Sequence, residues 1–120
     1  TGARTPPGYL ARSPAPPRAR PPLLFVCIPV HNEAATIGVL LWRIRTVLQG
    51  LSRDYEIVVY DDGSTDATPE VLAPYARVLP LTVLRGERRR GTSAAVDALC
   101  RHVVASTRYP RRDAVVLMQG

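Results

Sequence analysis

The sequence predicts an α/β protein, a mostly parallel sheet with helices packed on both faces. Three observations carry this. Short continuous apolar runs alternate with longer segments in which apolar residues recur at three- and four-residue steps. Each run is followed by one such segment before the next, giving a β-α-β-α-β-α-β order that calls for right-handed crossovers. The residues able to do chemistry sit directly after the runs, beyond the carboxyl ends of the strands, where sheets of this kind bind ligands.

Leu23 to Ile28 is the first run, closed by Pro29, and its lack of polar alternation suits a strand buried on both faces. Ile37, Leu40, Leu41, Ile44, Val47, Leu48 and Leu51 then mark one face of a helix that should begin near Asn32 and stop at Gly50. Asn32 can cap it, and Glu33 in its first turn would complement its dipole. Glu56 to Tyr60 is the second strand, broken by Asp61-Asp62-Gly63-Ser64. Asp66 or Thr68 can cap a short helix with Pro69 in its first turn, running to about Tyr75. Val78 to Leu84 reads as a third strand, at an edge or interrupted because of Pro80. Gly91 opens a third helix with Ala95, Val96, Leu99 and Val103 on one side, and Ala114 to Met118 is the fourth strand. The strand order that follows is 3-2-1-4.

Residues 1–22 are of another character. They hold seven of the twelve prolines and four arginines without an acid, so +4 of the net charge of +6 lies there. Such a segment cannot bury enough apolar surface to offset its ordering entropy and reads as a disordered, polyproline-like leader. The rest, residues 23–120, is a folded unit only mildly basic, which gives nucleic acid no support as a partner. The basic start is not followed by an apolar stretch that would mark a signal peptide, and no run approaches the ~20 apolar residues of a membrane span. Cys27 and Cys100 fall in a strand-like and a helix-like segment and are expected as two buried free thiols, which points to a reducing, cytoplasmic setting.

Three segments occupy the ligand-binding ends of the strands: Pro29-Val30-His31-Asn32-Glu33, Asp61-Asp62-Gly63-Ser64, and the loop from Arg85 to Gly91. The first contains no glycine, which excludes the Gly-x-Gly-x-x-Gly turn of dinucleotide-binding proteins, and the chain has no lysine, which excludes a phosphate loop of the Gly-Lys-Ser/Thr type. A carboxylate such as that of Glu33 can accept from a nucleobase N–H, and a ring such as His31 can pack on the base. Taken alone, Asn32 and Glu33 serve equally as plain helix-start residues. Ser64, Thr65 and Asp66 are explained as partners for free helix N–H groups, whereas two adjacent acids leaving a buried strand repel each other unless something donates to them.

Ile28-Pro29-Val30-His31-Asn32-Glu33 and Val59-Tyr60-Asp61-Asp62-Gly63-Ser64-Thr65-Asp66, at their observed spacing, resemble the two signature blocks of the family 2 glycosyltransferases, including the dolichyl-phosphate mannose synthase and polyprenyl sugar transferase branch. The resemblance spans Leu23 to Gly120. It implies a GT-A fold, a Rossmann-like three-layer α/β sandwich, of which this chain is the N-terminal, nucleotide-sugar-binding part. It further implies that Pro29, Val30, His31, Glu33, Asp61 and Asp62 line the nucleobase and ribose site, with Asp62 on the base. His31 stands where the family usually has tyrosine or another aromatic. The family's lysine before the third helix is Thr92 here and a later basic or amide residue is Asp97, so the diphosphate contacts would pass to the Arg88-Arg89-Arg90 run, with Arg90 and Gly91 the candidates.

The implied activity is transfer of a sugar from a UDP- or GDP-type donor to an acceptor such as a polyprenyl phosphate or a glycan, with inversion. The implied cofactor is Mg²⁺ or Mn²⁺. The Asp-x-Asp metal motif and the catalytic base are expected beyond Gly120, so the chain reads as an inactive piece of a longer enzyme, at the cytoplasmic face of a membrane if regions outside it make the attachment. Two other readings are a sugar-nucleotide pyrophosphorylase, which would need a glycine- and arginine-rich loop where Pro29 to Glu33 stand, and a non-catalytic nucleotide-binding or scaffold module derived from the same fold.

Overall fold

The computed structural model describes residues 23–51, 53–107 and 113–119. The Pro- and Arg-rich leader lies outside them. Four strands form one sheet: β1 (Leu23–Val30), β2 (Asp54–Asp62), β3 (Leu81–Gly86) and β4 (Ala114–Leu117). Helices α1 (Ile37–Leu48), α2 (Thr68–Val78) and α3 (Thr92–Ser106) connect them in turn. All three pairings are parallel and the order is β3-β2-β1-β4, as the alternation predicts.

The two-residue period of the strands sorts the core into two layers. Val26, Ile28 and Val30 of β1 and Ile57 and Val59 of β2 face Ile37, Leu41 and Ile44 of α1 and Leu72 of α2. The alternate residues Phe25, Cys27 and Val58 face Leu99 and Val103 of α3. Ile28, Leu41 and Ile57 are wholly buried, so truncating any of them to alanine should cost about 2–5 kcal/mol. The helices divide between the faces because the chain builds outward from β1 through β2 to β3 and then returns to the other side of β1. Between β1 and β4 the direction of winding therefore reverses.

Pro29 does not close β1 but lies within it, paired with Tyr60. The carbonyl of Cys27 accepts from the N–H of Met118, so the backbone groups of Cys27 point toward β4. Two residues on, Pro29 faces the same way and has no N–H to give. The β1–β4 ladder ends there, leaving the two strand ends free to diverge around a ligand.

Other boundaries also depart from the sequence reading. Helix α1 begins at Ile37 rather than near Asn32, because Asn32 takes a left-handed backbone (φ 52) and Glu33 supplies the carbonyl that receives the N–H groups of Thr36 and Ile37. Asn32 and Glu33 are therefore not the cap and first turn of that helix. Helix α2 runs past Pro74 to Val78, its last turn closed by the N–H of buried Leu79 on the Tyr75 carbonyl. Val78 thus belongs to the helix, and β3 starts at Leu81, after Pro80, on an edge of the sheet. Both cysteines are free, but only Cys27 is buried; Cys100 lies on the exposed side of α3. The apolar spacing of α3 could not separate the flank of that helix from its buried face.

Candidate functional site

The three segments singled out by the sequence converge at the carboxyl end of the sheet. Asn32 ties the first to the second. Its left-handed backbone, tolerable for a short side chain that bonds locally, lets its N–H donate to Ser64 Oγ at 2.9 Å while its Oδ1 accepts from the N–H groups of Thr65 (2.8 Å) and Asp66 (3.2 Å). The Glu33 N–H donates to Thr68 Oγ1 at 3.0 Å and the Ala34 N–H to Asp66 Oδ2 at 3.3 Å. Asp66 also accepts from the N–H and hydroxyl of Thr68; those bonds, the hydroxyl's above all, hold its carboxyl below the usual aspartate value.

The adjacent acids have separate environments. Asp61 is wholly buried, its Oδ1 accepting the Ser64 N–H at 3.0 Å and its Oδ2 lying 4.0 Å from Nε of Arg85, its register partner on β3. Asp62, 4% exposed, accepts the N–H of Arg90 on Oδ1 and of Gly91 on Oδ2, each at 2.9 Å. Each carboxylate oxygen can accept a second bond. The repulsion between the two acids is thus met by a fork of backbone N–H groups on Asp62, whereas Asp61 Oδ2, buried without a hydrogen-bond partner, has the Arg85 guanidinium at 4.0 Å.

Gly63 makes this arrangement possible. Its φ is +65, and a Cβ there would run into the backbone between Arg88 and Arg89. The turn after β2 and the loop after β3 therefore pack backbone against backbone, with the Asp62 carboxylate as the clasp.

Between the ends of β1 and β4 lies an open cavity of about 250 Å³ lined by Pro29, Val30, His31, Glu33, Asp62, Arg89, Thr92, Ala95 and Gln119. It sits at the reversal of winding, the position at which open α/β sheets bind ligands. His31 is held by Nδ1, 2.7 Å from the carbonyl of Asp62; a carbonyl only accepts, so Nδ1 carries the proton and Nε2 is left for another partner. Oε1 of Glu33 is buried and has no hydrogen-bond partner.

Of the residues expected at the site, Pro29, Val30, His31, Glu33 and Asp62 line the cavity, whereas Asp61 is sealed behind it. Arg90 and Gly91 serve Asp62 through their backbone, and Arg89 is the member of the arginine run that lines the cavity. Ala95 and Gln119 are cavity residues that the sequence does not single out, and Thr92, at the position of the family's lysine, lines the cavity beside Arg89. Gln119 follows β4 as His31 follows β1, and the same carboxyl-end rule would have found it. No three His, Cys, Asp or Glu side chains gather into a metal site among the described residues. No described helix is long and apolar enough to cross a membrane.

The family described as glycosyl transferase family 2 matches residues 25–107. The chain is 42% identical over 71 residues to a dolichol-phosphate mannosyltransferase of Pyrococcus furiosus, covering 59% of this chain and 20% of that one. It is 41% identical over 56 residues to an undecaprenyl-phosphate 4-deoxy-4-formamido-L-arabinose transferase of Aeromonas hydrophila, covering 47% and 17%. It thus spans about a fifth of the length of these curated relatives. Among solved structures it is similar to a mannosyltransferase of Pyrobaculum calidifontis in complex with GDP-Man and Mn²⁺, with a TM-score of 0.53 at 30% identity over 69% of this chain and 24% of that one. The S. aureus TarS structure shares the fold, with a TM-score of 0.59 at 20% identity over 80% and 26%. With the matched region covering most of its folded part, this chain belongs to glycosyl transferase family 2.

Proposed function

We propose that residues 23–120 form the nucleotide-sugar-binding part of an enzyme that transfers a sugar from a UDP- or GDP-type donor, with inversion, to a polyprenyl phosphate or related acceptor. The observation that carries this is the cavity at the β1–β4 reversal, lined by Glu33, whose Oε1 is buried without a hydrogen-bond partner. A buried acceptor without a donor is costly, and a nucleobase offers a ring N–H of matching chemistry. The neighbour bound to GDP-Man and the relatives named for polyprenyl phosphates support the same reading.

In this reading Glu33 accepts from the base and the His31 ring packs against the base or ribose between Pro29 and Val30. Asp62 offers its remaining acceptor positions to the base while holding the loop after β3. Asp61 balances Arg85 behind it. Arg89 is then aimed at the diphosphate, where a guanidinium fork suits phosphate oxygens, and the backbone at Arg90 and Gly91 fixes its reach. A divalent cation, Mg²⁺ or Mn²⁺, would be held by acids other than the described residues together with the donor phosphates, where it would offset the leaving group's charge. Calorimetric titration of the whole enzyme with UDP and with GDP tests the reading: one of them should bind, and an Arg89→Ala variant should lose affinity for the diphosphate more than for the nucleoside. Equal losses for both would remove Arg89 from the phosphate site.

A further inference from the structure

The three helices differ in what they show to solvent. Helix α2 carries Glu70 and α3 carries Asp97, which pairs with Arg101 at 3.0 Å. Helix α1 carries no acid, and from Ala34 to Arg53 the chain has three arginines and no carboxylate. Its buried stripe is Ile37, Leu41 and Ile44. At 100° per residue the opposite side consists of Val39, Trp42 and Thr46, flanked by Arg43, Arg45 and Val47.

That side would ordinarily be polar. Here Val39 is 57% exposed and Trp42 52%, and Val47, on the flank where it borders a groove with Leu40 and Val116, is 68% exposed. The Thr46 hydroxyl donates to the Trp42 carbonyl at 2.9 Å, so it is satisfied without water. The Arg45 guanidinium lies 4.8 Å from the centroid of the Trp42 ring and donates to Gln49 Oε1, which keeps its charge at the edge of the apolar patch. Exposed Val104 of α3 has no comparable company, since the charged pair on its helix is of mixed sign.

We propose that the outward face of α1 docks on an anionic lipid bilayer surface. Tryptophan and arginine are the side chains that settle at the headgroup level, the indole between apolar and wet layers and the guanidinium on lipid phosphates. An acid-free helix with cations along both flanks of an apolar stripe matches a negative surface in charge and layering. Helix α1 packs on a face of the sheet while the cavity opens at the carboxyl ends of the strands, so a bilayer along the helix lies beside the cavity rather than across it. The proposal adds to the reading of a lipid-linked acceptor without resting on it, since vesicle binding is measured without donor or acceptor.

Trp42 is the single tryptophan of residues 1–120, so, with any tryptophan outside them replaced by phenylalanine, its fluorescence reports this face. The whole enzyme is titrated with vesicles of phosphatidylcholine and phosphatidylglycerol, and then with vesicles brominated in the acyl chains. Trp42 should shift to the blue and be quenched by bromine with the anionic vesicles. Zwitterionic vesicles should leave it unchanged, and high salt should reverse the effect. Arg43→Glu should weaken vesicle partitioning by roughly tenfold or more, given about a fivefold contribution per cation near such a surface. A Val39→Ser, Val47→Ser double variant, surface changes that leave the urea midpoint unchanged, should weaken it too. Vesicle binding that leaves Trp42 unquenched, which would place the contact away from this face, overturns the proposal. So does an absence of binding, or equal quenching by zwitterionic vesicles.

Discussion

Replacing Gly63 with alanine tests the clasp between the turn after β2 and the loop after β3. The backbone at Gly63 is left-handed, and an added Cβ would meet the chain between Arg88 and Arg89 rather than a side chain able to swing aside. The left-handed conformation alone costs alanine about 1–2 kcal/mol, and displacing packed backbone adds about 1–3 kcal/mol. A loss of about 2–5 kcal/mol is a large part of the 5–15 kcal/mol typical of a domain. Urea unfolding should show it as a midpoint lowered by ~1–2 M at unchanged slope, for a slope of about 1–3 kcal/mol/M. Because the loop must move, the amides of Arg90 and Gly91, bonded to Asp62 in the native protein, should also lose protection from hydrogen exchange. Gly91→Ala gives the comparison without the clash: its φ of 103 and ψ of 163 are a conformation that strains alanine by backbone alone, and an added Cβ meets nothing within 4 Å. A Gly63→Ala stability within about 0.5 kcal/mol of the parent, or unchanged exchange protection at Arg90 and Gly91, would refute the steric argument.

Asp62→Ala should lower stability and nucleotide affinity together, the latter by roughly ten- to a hundredfold, since a hydrogen bond to a charged group contributes about 1.5–3 kcal/mol; unchanged calorimetric affinity in a folded variant would remove Asp62 from the site. Burial, and then Cys100 and Glu56, push the Cys27 thiol up to about 11. Native protein should therefore lose only Cys100 to iodoacetamide at neutral pH, both thiols reacting in urea. The unfolded chain releases the Cys27 proton first, near pH 8.5, so this group's contribution to stability should fall as pH rises from about 8.5 to about 11, and Cys27→Ala should flatten that limb. Asp66 has the opposite sign. Its folded value is depressed, so its contribution is present above about pH 4 and lost as pH falls through the folded value, a loss that Asp66→Asn should abolish in acid unfolding curves.

Strand existence, order and the sidedness of the core were legible because buried parallel strands write continuous apolar runs and the crossovers leave few topologies. What the sequence concealed was backbone geometry that side-chain periodicity does not encode. Asn32 reads as a helix cap by composition, yet its left-handed φ turns it to bridge two loops instead. Pro29 reads as a terminator, but a strand whose neighbour ends beside it can hold a proline. At the site, the motif named the residues without giving their depth. Asp61 and Asp62 are adjacent in the chain, yet pleating buries one beside Arg85 and brings the other to the cavity wall. Which arginine of the run faces the cavity depended on the clasp by Asp62, a backbone contact invisible to residue type.

The central claim is that the cavity between the ends of β1 and β4 holds the nucleotide of the donor, and Glu33 tests it most directly. Its buried Oε1 lacks a protein partner, so removing it should leave stability intact while depriving the ligand of an acceptor. Calorimetric titration of the whole enzyme and its Glu33→Ala variant with UDP and GDP should show the preferred nucleotide weakened by roughly ten- to a hundredfold, with the urea midpoint unchanged. Unaltered affinity in the folded variant, or binding of neither nucleotide by the parent, would contradict the account.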